Sequence, residues 1–195
     1  MARIQGHTPL YGALGASRII ALDMGAPAAA DPDYLVTSTD MKVGVYTIVT
    51  GHGTLDVPRN VTVTLTRQET VDTLGTITVT GTDINGAALT EVITPLDNTT
   101  AYGTKAFKTV TKIEGTGWAV NSGTPDPDLI TVGFGDSLGL PVLLSRDSVI
   151  RAFLGGNKES AHPTVAAGAT TLAASTIKLN SALNGTAVIV DYYET

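Results

Sequence analysis

The chain has 195 residues, no cysteine, 12 basic and 18 acidic side chains, and a formal net charge of −6. That length suits one domain, or one domain with a smaller appendage, and a core that needs no disulfide or metal staple. The missing cysteines exclude a disulfide framework, a Cys-ligated zinc and a thiol nucleophile, and no Lys/Arg stripe is available for direct nucleic-acid binding.

Only 15% of the residues are charged, against roughly a quarter in an ordinary soluble protein. Much of the surface is therefore expected to be covered by partners. No stretch reaches the ~18 apolar residues of a membrane helix, and no membrane partner is expected.

Residues 1–33 show neither helical nor strand periodicity. Arg3 and the run Ala28-Ala29-Ala30 imitate a secretory leader. Gly12, Gly15, Ser17, Arg18 and Asp23 break its apolar stretch, so no cleaved leader is expected. The segment reads as an extended N-terminal arm held by the body of the fold or by a neighbouring subunit.

Residues 34–120 read as a Thr-rich antiparallel β domain. Val43, Val45, Thr47 and Val49 alternate with Gly44, Tyr46 and Ile48, and Val61, Val63 and Leu65 alternate with Thr62, Thr64 and Thr66. A period of two marks a half-buried strand, and threonine suits its wet face without adding charge. In residues 75–93, Asn85-Gly86 suits a two-residue type I′ turn. That turn sets Ile84 opposite Ala87 and Val79 opposite Val92. A further strand is expected over Phe107–Glu114.

The Gly- and Pro-rich stretch ending in Asp126-Pro127-Asp128 reads as a loop and a boundary, with residues 121–195 as a smaller C-terminal β subdomain. Its strands are expected at Leu129–Phe134, Ser148–Leu154 and Ala187–Tyr193. Gly133, Gly135 and Gly139 imitate a phosphate loop, but the spacing is wrong and Pro141 follows where a helix should start, so a tight connector with special backbone angles is expected. The fold class is all-β: an antiparallel sandwich or barrel-like body.

No catalytic constellation is legible. His7, His52 and His162 are scattered and form no ligand set. Asp83-Ile84-Asn85-Gly86 opens like a calcium loop, but Gly86 comes fourth and Thr94 twelfth, and the hairpin turn explains it more simply. The tripeptides Asp31-Pro32-Asp33 and Asp126-Pro127-Asp128 leave a loop calcium as an alternative to plain acidic turns. No Gly-x-Ser-x-Gly elbow exists. A single tryptophan, Trp118, gives little stacking surface for a sugar-cleaving groove. The triplets at Asn60, Asn98 and Asn184 match the glycosylation pattern by chance in so Thr-rich a chain. No enzyme, cofactor or metal is expected.

The phrases GTITVTGTDINGAALTEVI, AYGTKAFKTVTKIEG and ITVGFGDSLGLPVLL resemble tailed-bacteriophage virion proteins of the capsid decoration (cement, head-stabilising) family. The resemblance covers residues 75–193, and GFGDSLGLP is its most specific part. It implies a homotrimer on the outer surface of the capsid that contacts the major capsid protein and bridges capsomers. In such an assembly the N-terminal arm is the first candidate contact, with Arg3, Ile4, Leu10 and Tyr11 as anchors. The alternative is a tail-fibre or receptor-binding module that recognises a host-surface glycan around Tyr46, Tyr102 and Trp118. Core or interface packing is the plainer account of those three rings.

Overall fold

The structure, a computed structural model, describes residues 18–41, 46–48, 53–121 and 127–193. Its strands are β1 (Ile19–Asp23), β2 (Asp31–Asp40), β3 (Tyr46–Ile48), β4 (Gly53–Thr66), β5 (Thr76–Thr82), β6 (Ala88–Ile93) and β7 (Thr100–Thr116). They continue with β8 (Leu129–Gly139), β9 (Val149–Leu154), β10 (Asn157–Lys158), β11 (Thr164–Ala166), β12 (Thr176–Lys178) and β13 (Val188–Tyr193). The expected all-β antiparallel body is what forms. The larger sheet runs β11-β12-β8-β4-β7-β5-β6, with β2 also on β8 and β3 also on β7, and the smaller runs β1-β13-β9-β10.

The alternation read at 61–66 decides which way β4 faces. Val61, Val63 and Leu65 are buried beside Ile77 and Val79 of β5, Val110 and Ile113 of β7, and Ile130 and Val132 of β8. Burial of each such side chain contributes about 1.5–3 kcal/mol. On the other face, threonines pair across strands. Thr64 meets Thr100 at 2.8 Å, Thr82 meets Thr109 at 2.6 Å and Thr76 meets Thr116 at 3.4 Å, oxygen to oxygen. Strand β7 carries one member of every pair, so one long strand stitches both of its neighbours.

The sheet division does not fall at residue 120. Strand β8 pairs with β4 along one edge and with β2 and β12 along the other. Its first half puts Ile130 and Val132 into the larger core. Its last turn of sequence puts Leu138 into a second core with Leu144, Ile177, Val188 and Val190. The segment read as a connector is thus continuous strand, and Gly133, Gly135 and Gly139 are not among the glycines of positive φ. What they supply is close approach. A Cβ on Gly133 would lie 1.9 Å from the Asp31 carbonyl oxygen, and one on Gly139 would lie 2.5 Å from Ala106 Cβ.

The hairpin is present with a different turn. Thr82 pairs with Ala88 and Thr78 with Val92, one residue out of the expected register. The loop has three residues. Gly86 N–H donates to Asp83 O at 3.1 Å, and Gly86 alone takes positive φ, +80°. This is a type I turn followed by a glycine bulge. Asp83 causes the shift, because its Oδ1 accepts the N–H groups of both Asn85 and Ala87 at 2.9 Å. A slip of one residue reverses a strand's faces: Val79 is buried, whereas Val92 is 60% exposed.

The second part of the expected arm is also corrected. Residues 19–23 form β1 and pair with β13, Ile19 opposite Tyr193 and Asp23 opposite Ile189. Met24 then anchors in the second core. Residues 1–17 lie outside the described residues.

Candidate functional site

The smaller sheet has one face on the second core and one face open. Ile20, Leu22, Val188, Val190, Ala152 and Leu154 point inward. The register sends their neighbours outward: Ile19, Ala21 and Asp23 on β1, Tyr193 and Ile189 on β13, Phe153 on β9 and Lys158 on β10. Ile19 is 59% exposed and Tyr193 45%, and the two are direct cross-strand partners. At the centre, Arg151 Nε donates to Asp191 Oδ2 at 2.6 Å, and the guanidinium lies 5.3 Å from the centre of the Phe153 ring. The Arg151 side chain covers Asp191, which is buried on a face that is otherwise open. The outer face is therefore an apolar strip, Ile19–Tyr193 and Ile189–Phe153, crossed by the Arg151–Asp191 pair and flanked by the exposed Asp23 and Lys158. Such a surface favours a partner with an apolar patch and a polar rim. Strand β1 also ends its sheet, so its outer backbone edge has no strand partner among the described residues.

A second surface lies where β6 meets β7. Strand β4 advances two residues, Asn60 to Thr62, while β7 advances four, Ala106 to Tyr102. The surplus forms a bulge at 103–105. Glu91 caps it: Oε1 accepts Thr104 N–H at 2.7 Å and the Thr104 hydroxyl at 2.9 Å. This explains a buried carboxylate on β6, because the bulge leaves amides that need an acceptor. Beside it runs a groove of about 320 Å3 walled by Val92, Leu96 and Tyr102. Tyr102 is 62% exposed, and Lys178 Nζ stands 5.7 Å from its ring centre.

A third feature is enclosed. Arg59 is fully buried; Nε donates to Gly135 O at 2.9 Å, Nη1 pairs with Asp56 at 3.3 Å, and the guanidinium lies 4.2 Å from the Phe134 ring centre. Burial pushes Arg59 below its ordinary value, while the charges of Asp56 and Asp136 push it up. Tyr34 packs on Phe134 at 4.9 Å between ring centres, and the two wall a pocket of about 160 Å3 with Leu55 and Asp56. Asp56 is already committed to Ala28 N–H, Val57 N–H and Arg59. The cluster therefore joins β4 to β8, with Asp56 engaged and the buried Arg59 Nη2 left without a hydrogen-bond partner.

The expected contact residues Arg3, Ile4, Leu10 and Tyr11 lie outside the described residues, as do His7 and His52. Tyr46 is in β3. Trp118 packs partly buried against the larger core, and its Nε1 has no hydrogen-bond partner there. Of the three rings considered for glycan binding, only Tyr102 is described as exposed. Asp33 N–H donates to Asp31 Oδ1 at 3.3 Å, and hydrogen bonding to Asp31, then desolvation and its charge, raise the Asp33 carboxyl above its usual range. Asp128 is buried and accepts Gln68 N–H. Among the described residues no group of three His, Cys, Asp or Glu side chains is placed to hold a metal ion.

Comparison of the chain with protein-family models, curated proteins and solved structures finds no match.

Proposed function

We propose that the chain is a structural, non-catalytic virion protein. It is a capsid decoration or cement protein that sits on the outside of a bacteriophage head as a homotrimer and bridges capsomers through the major capsid protein. The sequence resemblance over residues 75–193 supplies the family. The structural observation that carries the reading is the outer face of the smaller sheet. Its exposed Ile19–Tyr193 pair, half-buried Phe153 and Ile189, and free β1 edge make an apolar association strip with Asp23 and Lys158 at its rim. Repetition over a shell supplies avidity, so each contact can be modest. The test is co-sedimentation with shells that lack the protein. The wild-type chain is expected to pellet with them, and the double variant Ile19→Asp, Tyr193→Asp to stay in solution while keeping its fold. Wild-type protein that does not bind such shells overturns the reading.

The exposed Tyr102 groove favours one second reading, a tail-fibre or receptor-binding module for a host-surface glycan. An open ring beside polar groups is the form a sugar-stacking platform takes. Glycan-array binding by the isolated protein that disappears with Tyr102→Ala would replace the first reading with this one.

A further inference from the structure

The chain leaves the smaller sheet at Lys158, the end of β10, and enters the larger sheet at Thr164, the start of β11. Residues 159–163 are the link, and they are heavily tied. Glu159 Oε2 accepts the N–H groups of Asn180 at 2.8 Å and Ser181 at 2.9 Å. Asn180 Nδ2 donates to the carbonyls of Ala161 and His162. Glu159 N–H donates to Ala152 O of β9 at 2.9 Å, and His162 adds the side-chain tie to the same strand. Its Nδ1 lies 2.8 Å from the Pro163 oxygen and its Nε2 lies 3.1 Å from the Val149 oxygen, at the start of β9.

Both ring nitrogens thus face carbonyl oxygens, which only accept. A neutral imidazole has a single N–H, and only the imidazolium has two. In the neutral ring one lone pair would point at a carbonyl lone pair, and one of the two ties would be lost. The charged groups around the ring are mixed. Asp147 Oδ2, before β9, stands 3.8 Å from Nε2. Glu159 of the link, Arg151 of β9 and Lys158 of β10 line the same pocket of about 140 Å3, and Arg151 is held by Asp191. The two acids favour the cation and the two bases oppose it, so the two carbonyls tip the balance.

We propose that residues 159–163 are a protonation-controlled clasp between the two sheets: the His162 imidazolium ties the link to β9, and loss of its proton releases that tie and opens the pocket beside it. The direction of titration agrees. The Val149 carbonyl, then the Pro163 carbonyl and the Asp147 charge, raise His162 above the ordinary histidine value, with desolvation opposing. A raised folded value makes the stabilisation complete below the ordinary value. It is lost as pH rises through the raised one. The clasp stands whether or not the chain decorates a shell.

The test uses the full chain with His7→Gln and His52→Gln, so that one histidine signal remains. Nuclear magnetic resonance of the ring nitrogens should show both protonated at low pH, with a midpoint above that of a free histidine. Hydrogen exchange, corrected for its intrinsic pH dependence, should show protection at 159–163 several-fold higher at about pH 5 than at about pH 8. Adding His162→Gln should abolish that difference and leave the circular dichroism unchanged. A midpoint at or below the ordinary value, equal protection at both pH values, or a pH difference that survives in His162→Gln would each overturn the proposal.

Discussion

In the larger sheet the face turned from the core carries threonines bonded to one another across β4, β7 and β5. In the smaller sheet the corresponding face carries Ile19, Ile189, Phe153 and Tyr193 around the Arg151–Asp191 pair, with Asp23 and Lys158 at its rim. The inner face is nearly fully buried in the larger sheet and only partly so at Ile20, Leu22 and Leu154 of the smaller one. A threonine face gains little from a partner, because its paired hydroxyls satisfy one another and its methyls cover little area. An isoleucine–tyrosine face is unfinished, because its apolar area still contacts solvent and gains from any partner that removes it. Apart from the Val92–Tyr102 groove at its β6 end, the larger sheet's outer face is thus assigned to stability and the smaller sheet's to association.

Substitutions can break or sharpen that division. Phe107→Ala, deep in the larger core, is expected to cost about 3–5 kcal/mol in denaturant unfolding. A loss well below that would mean the larger sheet is not the stable unit. Gly133→Ala drives a Cβ into the Asp31 carbonyl and should cost about 1–3 kcal/mol, with hydrogen exchange speeding along β2 before β4. Within the hairpin, Gly86→Ala should cost about 1–2 kcal/mol and Asn85→Ala less than about 0.5 kcal/mol. Equal losses would restore the two-residue turn. Smallest in stability is the single change Ile19→Ser or Tyr193→Ser, at less than about 0.5 kcal/mol each. Yet either should weaken shell co-sedimentation, an effect that the hairpin changes Gly86→Ala and Asn85→Ala should not share. Deleting residues 1–17, which leaves β1 whole, separates the arm from the sheet face as the seat of binding.

The same contrast explains what the sequence disclosed. Strand β4 was legible because one face is aliphatic and the other threonine, which yields a clean period of two. Strand β1 was not. Ile19-Ile20-Ala21-Leu22 is apolar on both faces, and its partner lies at the opposite end of the chain, so neither alternation nor a nearby hairpin marks it. The hairpin's position was readable from Asn85-Gly86, but its register depended on one side-chain oxygen of Asp83 capturing two amides. The glycines of β8 signal a backbone requirement from sequence alone. Whether that is positive φ or close approach is set by strands distant in sequence: β2 at Gly133, β4 at Gly135, and β4 and β7 at Gly139. The surfaces were hidden for a related reason: an apolar residue on an open face and one in a core have the same letter.

The pairing of β1 with β13 has a consequence for how the molecule is made. The chain emerges from the ribosome N-terminus first, at about 5–20 residues per second. Strand β1 is therefore synthesised before every strand of the larger sheet and has to wait for its partner, Val188–Tyr193, which follows them all. The larger sheet can assemble during this wait. The smaller sheet closes only once β13 has emerged, and until then β1 is an unpaired edge with apolar residues on both sides. On a polysome, many such edges wait close together, each able to accept the β13 of a neighbouring chain as readily as its own.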